Sequence, residues 1–175
     1  MTDKLFIPVI LGTNREGRNS LFVAQFISQE LQKLGVESEI IDVKDYKVAY
    51  DGAKAEPSDY ADKISKSNGI VIVFPEYNHS FPGSLKTLLD SEFNIYKGKV
   101  VATASVSAGN FGGARGTESI IPVLTNFGMI LSGIQMHFPF VDKNFPKTAQ
   151  TSDQDTIKRV SENLNSLISL CQKLK

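Results

Sequence analysis

Cysteine is nearly missing from this chain of 175 residues: Cys171 stands alone, so no internal disulfide forms, and no C-x-x-C pair or Cys/His cluster is there to hold zinc. A reducing compartment fits that usage. Net charge is missing too, because 19 basic and 19 acidic residues cancel. That removes the basic footprint of a nucleic-acid binder, and the surface is not strongly acidic either. No segment approaches the roughly 18 apolar residues of a membrane helix. The opening MTDKLFIPVILG carries a short apolar run with no small-residue cleavage site, which reads as a first strand and not as a signal peptide. These absences lead to the expectation of a soluble, cytoplasmic protein with no nucleic-acid or membrane partner. What is present is ordinary for a globular chain, 41% hydrophobic and 22% charged. The length suits one domain over residues 1–175.

Short apolar runs alternate with helical patterns from end to end. Strands are predicted at residues 5–11, 36–43, 70–74, 100–106 and 134–138. Between the first two, Phe22, Val23, Phe26, Ile27, Leu31 and Leu34 recur at helical spacing, with Asn19 or Ser20 as N-cap and Gly35 as the stop. A second helix starts near Ser58 or Asp59 and carries Tyr60 and Ile64. A third follows Pro82 with Leu85, Leu88, Leu89 and Phe93 on one face. A fourth spans residues 117–127, where Pro122 kinks it or marks a late start. The last helix is a stripe of Ile157, Val160, Leu164, Leu167, Ile168, Cys171 and Leu174 behind Ser152 and Asp155 as a variant capping box. Segments 44–56 and 142–151 read as polar loops. Strand–helix alternation with continuous apolar strands argues for a parallel sheet covered on both faces. Five strands suit the three-layer α/β, flavodoxin-like order 2-1-3-4-5. Pro8 stands against it, inside a strand which that order makes central.

The stretch GTNREGRNS, residues 12–20, joins the first strand to the first helix. Its spacing Gly12-x-x-x-x-Gly17 nearly fits a P-loop, but Arg18 and Asn19 replace the lysine and hydroxyl which that motif needs. The dinucleotide pattern G-x-G-x-x-G is absent. What survives is an anion site at a helix N-terminus, where backbone N–H groups and the dipole favour negative charge. Arg15 and Arg18 can add charge-assisted bonds, and Thr13, Asn14 and Ser20 offer neutral donors. A phosphate monoester suits such a place; a capped, solvated turn is the plainer alternative.

Two further loops decide between them. PEYNHSFPGSLKTLLD, residues 75–90, follows the third strand, and SVSAGNFGGARG, residues 105–116, closes the fourth. Together with GTNREGRNS they resemble the NADPH-dependent FMN reductase family, whose relatives reduce quinones, azo dyes and chromate. The resemblance runs from the first strand to the last helix. It implies that Thr13, Arg15 and Ser20 hold the FMN phosphate, with Asn14 and Arg18 nearby. It implies that Pro75, Glu76, Tyr77 and Asn78 lie along the isoalloxazine, and that Ser107, Gly109, Gly112 and Gly113 stand beside its pyrimidine end. Thr13-Asn14 stands where many relatives have a serine and an apolar or small residue. NADPH, or NADH, is the implied reductant. A small-molecule electron acceptor and a homodimer or homotetramer are the implied partners. The apolar set Leu85, Leu88, Leu89, Phe93 and Tyr96, with Phe81, is wider than one sheet-facing stripe needs and nominates the third helix for the subunit contact.

All three loops sit where open α/β sheets bind ligands, and glycines let a planar ring approach the backbone. No Ser-His-Asp set, paired carboxylates or metal ligands appear, so the chemistry belongs to the cofactor and no residue is named catalytic. Hydride transfer from nicotinamide to bound flavin, then reduction of an acceptor in the same pocket, gives ping-pong kinetics. Two rivals stand beside this reading: a flavodoxin-type electron carrier that does not turn over NADPH, and a fold relative that has lost flavin. His79 and His137 receive no role beyond structure or surface. Cys171 is read as core, and Glu76 as acting through its backbone.

Overall fold

In the computed structural model, which describes residues 4–48, 53–133 and 135–174, strand residues sort by parity between two cores. One parallel sheet is built from β1 (Val9–Leu11), β2 (Ile40–Asp42), β3 (Gly69–Pro75), β4 (Val100–Val106), β5 (Ile130–Leu131) and β6 (Met136–Phe138), in the order β2-β1-β3-β4-β5, with β6 also paired to β4. Val9, Leu11, Val71, Val73, Ala102 and Ala104 pack against α1 (Ser20–Lys33) and α6 (Gln154–Lys173). Ile10, Ile41, Ile70, Ile72, Phe74 and Val101 pack against α2 (Asp59–Lys66), α3 (Gly83–Asp90) and α4 (Ala114–Asn126). Because both faces are covered, both parities must be apolar, which is why the strands read as unbroken runs. The order is the flavodoxin-like one expected.

Pro8 is accommodated at the edge of β1. Ile7 and Val9 donate to Glu37 and Glu39 beside β2, so the donor that proline lacks would point toward β3. There the ladder starts only at Val9–Val71, and the Pro8 carbonyl still accepts from Val71 at 3.0 Å. Two residues earlier, on the same side, the Phe6 N–H is taken by the Asn68 side chain at 2.9 Å. Proline at the first position of a strand costs little.

Several boundaries differ from expectation. The fifth strand is split: β5 pairs with Val100–Val101 and β6 with Ala104–Val106, and the Gln135 amide oxygen accepts from Thr103 in the gap. Its expected first residue, Ile134, lies outside the described residues, as do residues 49–52 of the expected loop 44–56. Ile130 and Leu131 escape a periodicity search because two residues make no pattern. Helix α4 begins at Ala114, a turn early, with Pro122 inside it. The cap of α6 is Asp153, which accepts from the Asp155 N–H at 3.2 Å and the Thr156 hydroxyl at 2.7 Å; Ser152 does not cap it. The segment expected as loop at 142–151 begins inside α5 (Val141–Asn144).

The apolar surplus assigned to α3 is consumed inside the chain. Leu85, Leu88, Leu89 and Tyr96 are fully buried in the second core and Phe81 packs partly buried on it. Only Phe93, beyond the end of α3, is exposed, at 56%. Cys171 is core as expected, and burial pushes its thiol pKa up to about 11.

Candidate functional site

The carboxyl ends of β1, β3, β4 and β6 converge on a cleft of ≈ 450 Å³. Arg15 to Ser20 line it from the first loop, Pro75 to Tyr77 from the second, Val106 to Ala108 from the third, and Val141 and Asp142 from the start of α5.

The first loop uses its polar residues in different ways. Thr13 is buried, its hydroxyl 3.1 Å from the Tyr77 hydroxyl and accepting the Arg15 N–H at 3.3 Å. Arg18 turns inward: it donates to the Thr13 carbonyl and pairs with Asp42, with only 9% of its side chain exposed. Glu16 is held by Lys44 at 2.8 Å, whose hydrogen bond and charge keep the carboxyl below its usual range. Arg15 is exposed, its guanidinium 6.0 Å from the centre of the Tyr77 ring, and has no carboxylate partner among the described residues. One arginine builds the loop and the other is available.

The two glycines of this loop answer unrelated demands. A Cβ on Gly12 would stand 2.8 Å from the Leu85 side chain, so it is small to let α3 approach. Gly17 has φ +64° with open space around it, so it serves the turn. The near-P-loop spacing arises from packing and turn geometry.

At the start of α1 the Ser20 side chain is buried and its hydroxyl has no hydrogen-bond partner among the described residues. An unmet buried hydroxyl costs about 1–3 kcal/mol. The N-cap residue Asn19 makes no capping bond and donates instead to Asp142. An uncapped N-terminus with an orphaned hydroxyl is satisfied by an anion.

The second loop is tied to its neighbours by hydrogen bonds. Its Glu76 N–H donates to the Val106 carbonyl at 3.0 Å, and the Glu76 carboxylate accepts the Gly116 N–H of α4 at 3.4 Å. Tyr77 and Ser80 exchange backbone bonds at 2.8 and 3.0 Å across Asn78 and His79, both left-handed at φ +50° and +64°. That is the pattern of a type I′ hairpin turn without glycine, a conformation that costs non-glycine residues energy.

The third loop is seated by Gly112 and Gly113. Their φ values are +59° and +86°, and a Cβ would lie 2.9 Å from the His137 Cβ or 2.7 Å from the Ser105 Cβ. The Ser105 hydroxyl donates to the Gly112 carbonyl at 2.8 Å, so the 2.8 Å contact with His137 requires the proton on His137 Nδ1. Burial, followed by the charge of Arg159, lowers the pKa of His137. Gly109 faces open space.

The sequence pattern of the NADPH-dependent FMN reductases matches residues 6–162. The chain belongs to that family. It is 28% identical to a quinone reductase of Escherichia coli over the whole of both chains. It is 24% identical to the NADH-dependent flavin reductase subunit 2 of Lactobacillus johnsonii, over 94% of this chain and 96% of the relative. Among solved structures, FerB, a flavoenzyme NAD(P)H:(acceptor) oxidoreductase from Paracoccus denitrificans, superimposes with a TM-score of 0.80 at 20% identity, over 97% of this chain and 98% of that one. That last likeness speaks for the fold.

As a family member the protein is an NAD(P)H-dependent FMN oxidoreductase, and the residues present fit the cofactor. Ser20, at the start of α1, with a hydroxyl that has no hydrogen-bond partner among the described residues, and Arg15, which has no carboxylate partner among them, line one cleft. Arg18, Pro75, Glu76, Tyr77 and Ser107 share that cleft. Thr13 does not line it; its buried hydroxyl meets Tyr77 and the Arg15 N–H, and both of those residues do. Asn14 instead lines a neighbouring cleft of ≈ 480 Å³ beyond Tyr77, with Tyr46 and Thr87. Asn78, Gly109, Gly112 and Gly113 do not line the main cleft; the last two are placed by contacts with the sheet. Asp142 was missed. It follows β6 at the same edge of the sheet, so the rule that nominated three loops also nominates this one.

Proposed function

We propose that the protein oxidises NADPH, or NADH, through bound FMN and passes the electrons to a flavin, quinone, azo compound or similar acceptor, taking cosubstrate and acceptor in turn in a ping-pong cycle within one flavodoxin-like domain. The observation that carries this is that one cleft is lined both by Ser20, whose buried hydroxyl has no partner among the described residues, and by Arg15, which has no counter-charge among them. In this reading Ser20 donates to the phosphate and Arg15 neutralises it, while Arg18 holds Thr13 in place. Tyr77 presents its ring beside the phosphate loop, and Pro75, Glu76 and Asn78 offer backbone to the flavin edge. Ser107, with Gly109, Gly112 and Gly113, borders the pyrimidine end. FMN, when bound, supplies the two-electron chemistry between nicotinamide and acceptor.

Anaerobic addition of NADPH to the FMN-loaded protein tests the reading: rapid bleaching of the flavin band is expected. A stable yellow protein that NADPH leaves oxidised would refute it in favour of a flavodoxin-type carrier. Association into a homodimer or homotetramer belongs to the same proposal, with the exposed Phe93 face as the contact. Light scattering at micromolar concentration checks it, and a monomer refutes it.

A further inference from the structure

Phe111 is 65% exposed, more than any other large hydrophobic side chain among the described residues. It sits on the third loop, past the cleft-lining Ser107 and Ala108. The Arg115 guanidinium lies over its ring, 5.6 Å from the centre. The same guanidinium is 2.8 Å from His79 Nε2 on the second loop, past the cleft-lining Glu76 and Tyr77. For Arg115 to donate there, His79 Nε2 must be unprotonated. The hairpin that carries His79 is left-handed at φ +64°, and Arg115 is in the first turn of α4, so the contact ties the second loop to that helix. Among the described residues Arg115 has no carboxylate partner, whereas Arg18 and Lys44 at the first loop are paired with Asp42 and Glu16.

We propose that Phe111 and Arg115 form the dock for the nucleotide part of the nicotinamide cosubstrate, the ring stacking on its base and the guanidinium pairing with its phosphate. This rests on the flavin-reductase reading. A bare quinone needs an aromatic surface but no fixed cation, and a bare phosphate needs the cation but no ring. A nucleotide carries a flat base and phosphate a few ångströms apart, and it uses both. His79 is a positioning residue in this arrangement, aiming the guanidinium across the mouth of the cleft.

The test uses FMN-loaded wild type, Phe111→Ala, Arg115→Gln and Arg115→Lys, following the two half-reactions separately by stopped flow. Losing one base stack or one charged phosphate contact is expected to weaken NADPH in the reductive half-reaction by roughly 5- to 150-fold. Reoxidation by an uncharged benzoquinone and FMN affinity stay unchanged. Arg115→Lys recovers part of the loss. ADP-ribose, which has base and phosphates but no nicotinamide, competes with NADPH in wild type and ceases to do so in Phe111→Ala. Unchanged NADPH affinity in both Phe111→Ala and Arg115→Gln overturns the proposal. So does a fall in FMN affinity, which would make the cluster part of the flavin site, or a dimer that becomes a monomer on Phe111→Ala, which would show a second copy covering the ring. Failure of the parent reading shows in wild type alone, as no FMN uptake or no bleaching, and removes this proposal with it.

Discussion

Replacing Arg15 by alanine separates a phosphate-binding loop from a solvated turn. Arg15 is exposed and has no carboxylate partner among the described residues, so its removal disturbs little of the fold beyond a long cation–ring contact at 6.0 Å from Tyr77. A hydrogen bond to a charged group contributes about 1.5–3 kcal/mol. At about 1.4 kcal/mol per decade that is roughly a 10- to 150-fold loss of FMN affinity. Riboflavin carries the same ring and no phosphate, so its affinity is expected to stay within about 2-fold, an energy of under 0.5 kcal/mol. Titrating both flavins against wild type and Arg15→Ala by fluorescence quenching gives the comparison directly. Equal losses for the two ligands, or none for FMN, would refute the assignment of Arg15 to the phosphate.

Arg18 makes the control, because the structure gives it a different job. It joins the Thr13 carbonyl to Asp42 with 9% of its side chain exposed. Removing one partner of a largely buried pair costs about 3 kcal/mol of stability. Arg18→Ala is therefore expected to weaken FMN and riboflavin together and to lower Tm without ligand. If Arg15→Ala and Arg18→Ala behave alike, the division of labour between the two arginines is wrong.

Saturating FMN at 100 times its Kd adds about 2.7 kcal/mol, which for a chain of this size raises Tm by about 5–10 °C; no shift by scanning fluorimetry would refute flavin binding in the cleft. Gly113→Ala, which forces a Cβ to 2.7 Å from Ser105 at φ +86°, is expected to destabilise by at least about 1–2 kcal/mol in chemical denaturation, whereas Gly109→Ala, with open space around it, leaves stability unchanged. Equal costs at the two positions would refute the separation of seating glycine from open glycine. His137 has its folded pKa lowered by burial and Arg159, so between that value and its unfolded value of about 6.5 the unfolded chain binds the extra proton. Stability contributed by neutral His137 is present above pH 6.5 or so and is lost as pH falls through that window; His137→Gln should flatten this part of the Tm profile, and an unchanged slope counts against it. With its thiol pKa raised to about 11, Cys171 is expected to resist maleimide at pH 7.5 in the native state and react on unfolding.

The fold was legible because a sheet buried on both faces needs apolar residues at both parities, and such runs stand out against amphipathic helices. The split of the fifth strand was hidden, because β5 is a two-residue strand and the Gln135 side chain fills the gap between it and β6. The site was legible at the level of loops and less so at the level of residues. The sequence spells Arg15 and Arg18 with the same letter, and only the position of Asp42, brought alongside by the pairing of β2 with β1, makes one a strut and leaves the other without a carboxylate partner among the described residues. Glycine carries the same ambiguity. Gly12, Gly112 and Gly113 are small because Leu85, His137 and Ser105 crowd them, while Gly109 faces open space. A glycine-rich loop at a strand end thus mixes two requirements, seating the loop on the sheet and leaving room above it. Adding a Cβ at each position in turn is the measurement that tells them apart, since a seating glycine loses stability without ligand and a ligand-facing one loses only affinity.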